Sequence, residues 1–152
     1  MQNPSSPLTG DYLCFDYGTL RIGLAIGNTL AGTARPLTVI TNNSGTPDWS
    51  EIDQAFKQWS PAGLVVGIPL TVEGEIQEMT HHARGFLKRL KKRFTVPVYS
   101  ADERFSSIEA QQELKKMRAR GQRGKTQHAD VDTLSAALIL ERWFTENTFA
   151  AK

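Results

Sequence analysis

Acidic residues recur in this sequence at places where a fold can gather them. Asp16 closes the apolar run Asp11–Asp16, which reads Asp-Tyr-Leu-Cys-Phe-Asp. Asp102 and Glu103 follow a second apolar stretch, and Asp130 and Asp132 stand at the start of a long apolar helical pattern. Carboxylates on separate elements repel one another unless a cation joins them. Mg2+ and Mn2+ are hard ions that take oxygen ligands, usually a few carboxylates with waters and substrate phosphate. Two such ions ~3.5–4 Å apart promote phosphodiester cleavage by activating a water and stabilising the leaving oxygen. Each acid also has a purely structural alternative. Asp16 precedes the turn Tyr17-Gly18-Thr19 and can cap its amides. The later acids suit the starts of helices. Zinc chemistry has no support: Cys14 is single and lies in an apolar run, and the adjacent His81 and His82 do not share a helix face.

Net charge is only +2, but the cations are unevenly placed. Lys115, Lys116, Arg118, Arg120, Arg123 and Lys125 lie close together with no acid among them. A second group, Lys88, Arg89, Lys91, Lys92 and Arg93, closes a predicted helix. Clustered cations suit a polyanionic partner; the alternative is a solvated basic face.

The elements that must position these residues follow from patterning. Asp11–Asp16 reads as a central strand buried on both faces. In Arg21–Gly27, the alternation of Ile22, Leu24 and Ile26 predicts a strand with one buried face. Thr33–Ile40 is a third strand, and Pro36 places it at an edge. Short turns join these three into an antiparallel meander. A helix capped by Asp48 with Glu51 runs to Trp59, followed by a strand over Leu64–Ile68. Apolar spacing predicts a helix over Glu75–Arg93, a strand over Val96–Ser100, a helix from Ser106 to Arg120 and a last, well-buried helix over Ala129–Thr145. Gly121–Lys125 is glycine-broken and is expected to be mobile. Trp49, Trp59 and Trp143 fall at core spacings, which favours packing over base stacking.

A strand–helix–strand unit makes a right-handed parallel crossover. The simplest α/β architecture is therefore a five-stranded mixed sheet in the order 3-2-1-4-5 with helices on both faces. The chain order reverses between strands one and four, and open α/β sheets bind ligands beyond the strand ends at such a reversal. Asp16 and the Asp102-Glu103 pair both fall at that edge. With 152 residues, 39% hydrophobic and 22% charged, the expected organisation is one domain over 11–146, a disordered tail over 1–10 and a short tail over 147–152. No signal peptide or membrane span is expected, which points to the cytoplasm.

Several blocks together carry a resemblance. Phe15-Asp16-Tyr17-Gly18-Thr19-Leu20-Arg21-Ile22-Gly23-Leu24-Ala25 resembles the opening signature of the YqgF/RuvX family. Ala34-Arg35-Pro36-Leu37, Val66-Gly67-Ile68-Pro69-Leu70, Ala101-Asp102-Glu103-Arg104-Phe105-Ser106 and Val131-Asp132-Thr133-Leu134-Ser135-Ala136-Ala137 resemble its later blocks in the right order. The match covers roughly Asp11 to Phe144. The resemblance implies an RNase H-like nuclease, a hydrolase acting on ester bonds with Mg2+ or Mn2+. It is related to RuvC-type Holliday junction resolvases, and its proposed role is 5′-end processing of pre-16S rRNA in ribosome biogenesis. By motif position Asp16, Glu103 and Asp132 are the metal-binding catalytic acids, with Asp102 and Asp130 as neighbouring alternatives. Strand four ends in Gly67-Ile68-Pro69, with no acid where a RuvC-type resolvase carries one. That departure suggests that Glu103 substitutes from strand five.

The expected nucleic-acid contacts are Arg21, Arg104, Arg118, Arg120, Arg123 and Lys125. Arg21 and Arg104 have an equal alternative as ion-pair partners of Asp16 or Glu103. Expected partners are precursor rRNA and pre-ribosomal particles, or branched DNA, with the chain a monomer or homodimer. Junction resolution predicts a symmetric dimer. A non-catalytic RNA-binding or assembly role is the rival outside enzymology. The Asp-Tyr-Gly-Thr turn also resembles the phosphate loop of actin-like kinases, but those pair two such folds and this length holds one.

Overall fold

The computed structural model describes residues 6–70, 73, 75–102 and 128–151. The predicted helix Ser106–Arg120 and the Gly121–Lys125 segment lie outside them. The described elements are β1 (Asp11–Tyr17), β2 (Arg21–Asn28), β3 (Thr33–Thr41), α1 (Trp49–Trp59), β4 (Gly63–Ile68), α2 (Glu78–Arg93), β5 (Val98–Asp102) and α3 (His128–Glu146). The sheet order is β3-β2-β1-β4-β5, as patterning predicts. β1 to β3 form the antiparallel meander, and β4 and β5 add in parallel. Among the described residues no helix is long and apolar enough to cross a membrane.

Strand alternation divides the core in two. On one face Leu13, Phe15, Ile22, Leu24, Leu64 and Val66 pack with Ile52 of α1 and with Ala83, Phe86 and Leu90 of α2. On the other, Tyr12, Cys14 and Val65 pack with Ile139, Leu140, Trp143 and Phe144 of α3. The expected single buried face of β2 is corrected here. Ile22 to Gly27 are buried without interruption, because α3 covers the side that carries Gly23, Ala25 and Gly27. Ala25 packs against Ala136 and Ala137. A Cβ on Gly27 would come within 2.8 Å of the Phe144 ring and 2.9 Å of Leu140. Asp132, Ala136, Leu140 and Phe144 recur every four residues, about 6 Å of helix. Gly23, Ala25 and Gly27 recur every two residues, about 6.7 Å of strand. The two repeats match closely enough for α3 to lie along β2 over its whole length.

Element ends shift where local chemistry intervenes. α1 starts where expected, with Asp48 accepting from the Glu51 amide at 3.3 Å. α2 starts three residues later than the apolar pattern suggests, where the Gln77 amide donates to Thr80 Oγ1 at 3.0 Å and the Thr80 amide donates to the Gln77 carbonyl at 3.0 Å. β5 begins after Pro97, which lacks the N–H a ladder needs. It therefore runs on through Asp102 instead of ending at Ser100.

Residues 7–10 and 147–151, read from sequence as tails, hold one another. Leu8 bridges Ala150 in parallel, Thr9 donates to the Ala150 carbonyl at 2.8 Å, and Ala150 donates to Pro7 at 2.8 Å. Phe149 joins Tyr12, Trp143 and Phe144 in an aromatic cluster with ring centroids 5.0–6.1 Å apart. Burial raises the Tyr12 phenol above its ordinary range, with the nearby Tyr99 adding to the effect. Full burial of a phenylalanine contributes ~3–5 kcal/mol by truncation. Phe149 is half-buried, so Phe149→Ala should cost about 2 kcal/mol in urea unfolding and speed hydrogen exchange at the Thr9 and Ala150 amides.

Candidate active site

The site forms where β1 and β4 end beneath the start of α3. Asp16 is the penultimate residue of β1 and half-buried. In register it lies between Gly23 of β2 and Gly67 of β4, and Gly67 in turn pairs with Ala101 of β5. Paired residues share a face of the sheet. Asp16 is therefore flanked on the α3 face by Gly23, Gly67 and Ala101, none with a side chain larger than methyl. The glycine at 67 is also where the family comparison leaves strand four without an acid.

Gly23 brings the second acid in. A Cβ there would overlap the Asp132 carbonyl oxygen and lie 2.5 Å from its carbonyl carbon and 3.0 Å from the Thr133 nitrogen. The helix backbone thus rests directly on the strand hydrogen-bonded to Asp16. Asp132 projects from that turn and accepts from Arg21 Nε at 2.8 Å, an ion pair with side chains 41% and 26% exposed. Arg21 therefore pairs with an acid, as one of its two sequence readings allows, but the partner is Asp132 instead of Asp16 or Glu103. Alternation from Gly23 puts Arg21 on the same face as α3.

The β1–β2 turn that follows Asp16 is braced from the end of β3. The buried Asn42 side chain donates to the Gly18 carbonyl at 2.6 Å, and its amide donates to Leu20 at 3.0 Å. Ser44 donates to the Thr19 carbonyl at 3.1 Å. A Cβ on Gly18 would lie 2.6 Å from the Arg21 carbonyl, so the turn closes tightly only around glycine. Asn42 is not among the sequence-predicted site residues; its one sequence signal is a polar side chain just after an apolar strand.

Of the other expected site residues, Asp102 stands apart. Asp102 pairs in register with Ile68, and Ile68 belongs to the core on the α2 side. Asp102 is thus on the face opposite Asp16, where it lines a groove against α2. Asp130 lies in the first turn of α3, with its side chain outside the described residues. Glu103, Arg104, Arg118, Arg120, Arg123 and Lys125 also lie outside them. Among the described residues no three His, Cys, Asp or Glu side chains come together closely enough to hold a metal ion. What those residues show is a pair of acid-bearing elements, from β1 and α3, with an arginine beside the second.

Comparison with known proteins adds similarities of sequence and of fold. A family described as "RuvX: Holliday junction resolvase" matches residues 10–146. A protein of Azotobacter vinelandii named "Putative pre-16S rRNA nuclease" is 45% identical over 135 residues, covering 88% of this chain and 92% of that protein. One of the same name from Pseudomonas fluorescens is 41% identical over 136 residues, covering 90% and 92%. Among solved structures, T. thermophilus RuvC in complex with a Holliday junction substrate aligns with a TM-score of 0.53 at 18% identity, covering 90% of this chain and 94% of that one. The Fowlpox virus resolvase, also solved with Holliday junction DNA, aligns with a TM-score of 0.51 at 11% identity, covering 90% and 97%. At these identities the structural likeness concerns the fold.

The contact at Gly23 is testable directly. Gly23→Ala forces a methyl group against helix backbone, which cannot rotate away, so α3 must lift. Overpacking of this kind costs ~1–3 kcal/mol. The variant should unfold at lower urea by that amount, with the largest amide chemical-shift changes around Asp132 and Thr133.

Proposed function

This chain belongs to the RuvX family and has the RNase H-like fold, and on that premise we propose that it is a divalent-metal-dependent nuclease. It hydrolyses phosphodiester bonds in precursor rRNA, at the 5′ end of pre-16S rRNA. The observation that carries this reading is the seating of the Asp132 backbone on Gly23. It sets a second carboxylate-bearing element over the strand paired with Asp16, in a fold whose ligands belong at that edge.

The donor chemistry fits a hard cation. Asp16 and Asp132 offer only carboxylate oxygens, the ligands Mg2+ and Mn2+ prefer. Glu103 is the proposed third acid, by its position in the family-like Ala101-Asp102-Glu103-Arg104 block. Together these three would hold Mg2+ or Mn2+, which when bound supplies Lewis-acid charge neutralisation at the scissile phosphate. The chain's own groups do the positioning. Arg21 orients Asp132 through Nε, and its remaining guanidinium N–H groups suit a phosphate oxygen. Gly67 and Ala101 give a sugar–phosphate backbone close approach beside Asp16. Arg104, Arg118, Arg120, Arg123 and Lys125 are the further proposed phosphate contacts. Pre-ribosomal particles in the cytoplasm are the proposed setting.

A second reading is favoured by the description of the matching family, which names Holliday junction resolution. It requires a homodimer with two sites on one four-way substrate, whereas RNA processing is compatible with a monomer.

The deciding experiment sets precursor 16S rRNA and a four-way DNA junction side by side, with Mn2+, with Mg2+ and with EDTA. Cleavage of the RNA alone supports the first reading; paired symmetric nicks in the junction support the second. Asp16→Asn should lower the cleavage rate about 100-fold or more, a barrier rise of ~2.7 kcal/mol, while the circular dichroism spectrum stays native. Full activity in that variant would falsify the assignment of the site. Arg21→Ala removes a half-exposed pair and should cost less than ~1 kcal/mol of stability. It should still slow cleavage about tenfold, with Arg21→Lys recovering part of the rate. A stability loss with no change in rate would make Arg21 a strut only.

A further inference from the structure

The cationic end of α2 divides into two sets. Arg89 and Arg93 are engaged. Arg89 Nη1 donates to the Gly45 carbonyl at 2.7 Å, and its guanidinium lies 6.0 Å from the Trp49 ring centre. Arg93 chelates Asp53 with hydrogen bonds of 2.9 and 2.6 Å while lying 4.9 Å from the Trp49 ring centre. Its guanidinium holds the Asp53 carboxyl below the usual carboxylate range. These two arginines tie α2 to Asp53 of α1 and to the Gly45–Trp49 stretch before it.

Arg84, Lys88 and Lys91 are different. All three are exposed, and none of their side chains makes an ion pair or hydrogen bond among the described residues. With His81 they follow one another at intervals of three, four and three residues, one face of a helix. That face lines a groove of about 680 Å³ between α2 and the ends of β4 and β5, within the ~300–1,000 Å³ range of ligand sites. Among the described residues of its lining, three cations face one carboxylate, Asp102. Gly85 lies in the same lining, in the middle of the helix, and a Cβ there would meet nothing within 4 Å. Packing therefore does not require a glycine at this position, and glycine weakens a helix interior relative to alanine. Its effect is to leave the groove floor bare to the backbone.

We propose that this groove binds a phosphodiester strand flanking the scissile bond, with Arg84, Lys88 and Lys91 on successive phosphates and Gly85 giving the strand close approach to α2. The groove ends at Ile68 and Asp102, and Asp16 stands at the same edge on the opposite face, paired with Gly67. A strand leaving the cleavage site can pass over the end of β4 into the groove. The inference rests on the reading of the chain as a nuclease only in taking nucleic acid as its substrate. RNA and DNA share the phosphodiester chemistry, so both are tested.

The experiment measures binding of the full chain to fluorescein-labelled 20-nucleotide oligo(U) and oligo(dT) in EDTA, across a salt series. Lys88→Ala/Lys91→Ala is compared with Lys57→Ala/Lys92→Ala, a charge-matched pair outside the groove. The groove pair should weaken binding at least tenfold and flatten the log–log salt slope by about 1.4, since each single-strand phosphate contact contributes ~0.7. The control pair should change affinity less than twofold. Gly85→Leu should keep or raise Tm and still weaken binding, because it fills the floor without removing charge. Equal losses from the two charge pairs, or native binding by both the groove pair and Gly85→Leu, would overturn the inference. Loss with oligo(U) alone makes the groove an RNA site; loss with both makes it indifferent to the sugar. Because EDTA removes cleavage from the measurement, a failed groove and a failed nuclease site give separate results.

Discussion

Everything at the proposed centre depends on a missing side chain. Gly23 allows a helix backbone to rest on a strand backbone at a separation that any Cβ would prevent. Ala25 and Gly27 carry the same shallow surface along the strand, and α3 answers with alanines before widening to Leu140 and Phe144. The turn of α3 that carries Asp132 is thereby seated on the strand paired with Asp16. Native interiors are near crystal density, so this seat has little slack. That suits carboxylates that must hold a fixed spacing.

The sheet separates two tasks. On the α3 side, small residues flank Asp16 in register, and Arg21, on the same face, is committed through Nε to Asp132. On the α2 side, Arg84, Lys88 and Lys91 line a groove and have no acidic partner among the described residues. The groove cations thus lie on the face of the sheet opposite Asp16. The arginines that do pair, Arg89 and Arg93, do so with α1 and the stretch before it, where they fasten a helix and leave both functional faces alone.

The strand order and the positions of Asp16 and Asp132 were legible in the sequence, because apolar alternation and helical spacing are strong local signals. The second buried face of β2 was not. Ile22, Leu24 and Ile26 announce one apolar side, while Gly23, Ala25 and Gly27 read as nothing in particular until a helix is known to need them. The partner of Arg21 was hidden for the same reason: Asp132 is 111 positions away, and only the seating of α3 makes them neighbours. The basic run at the end of α2 was visible as composition. Its division into fastening arginines and groove-lining cations depends on where Trp49 and Asp53 lie, which periodicity cannot say. The extent of β5 differs from the apolar pattern because its apolar residues begin at Val96, while Pro97 can only accept in the ladder and the strand proper starts at Val98.

The placement of Asp102 bears on how the chain tolerates changes of length. Consecutive residues at a strand end serve opposite surfaces, so β5 assigns its terminal residues by counting as well as by chemistry. Deleting one residue between Val98 and Asp102 would exchange the sides that the residues beyond the gap address, and no substitution elsewhere would restore them. Deleting two would shorten the strand yet keep each remaining residue on its own side. Across relatives, length variation within this strand should therefore come in even steps.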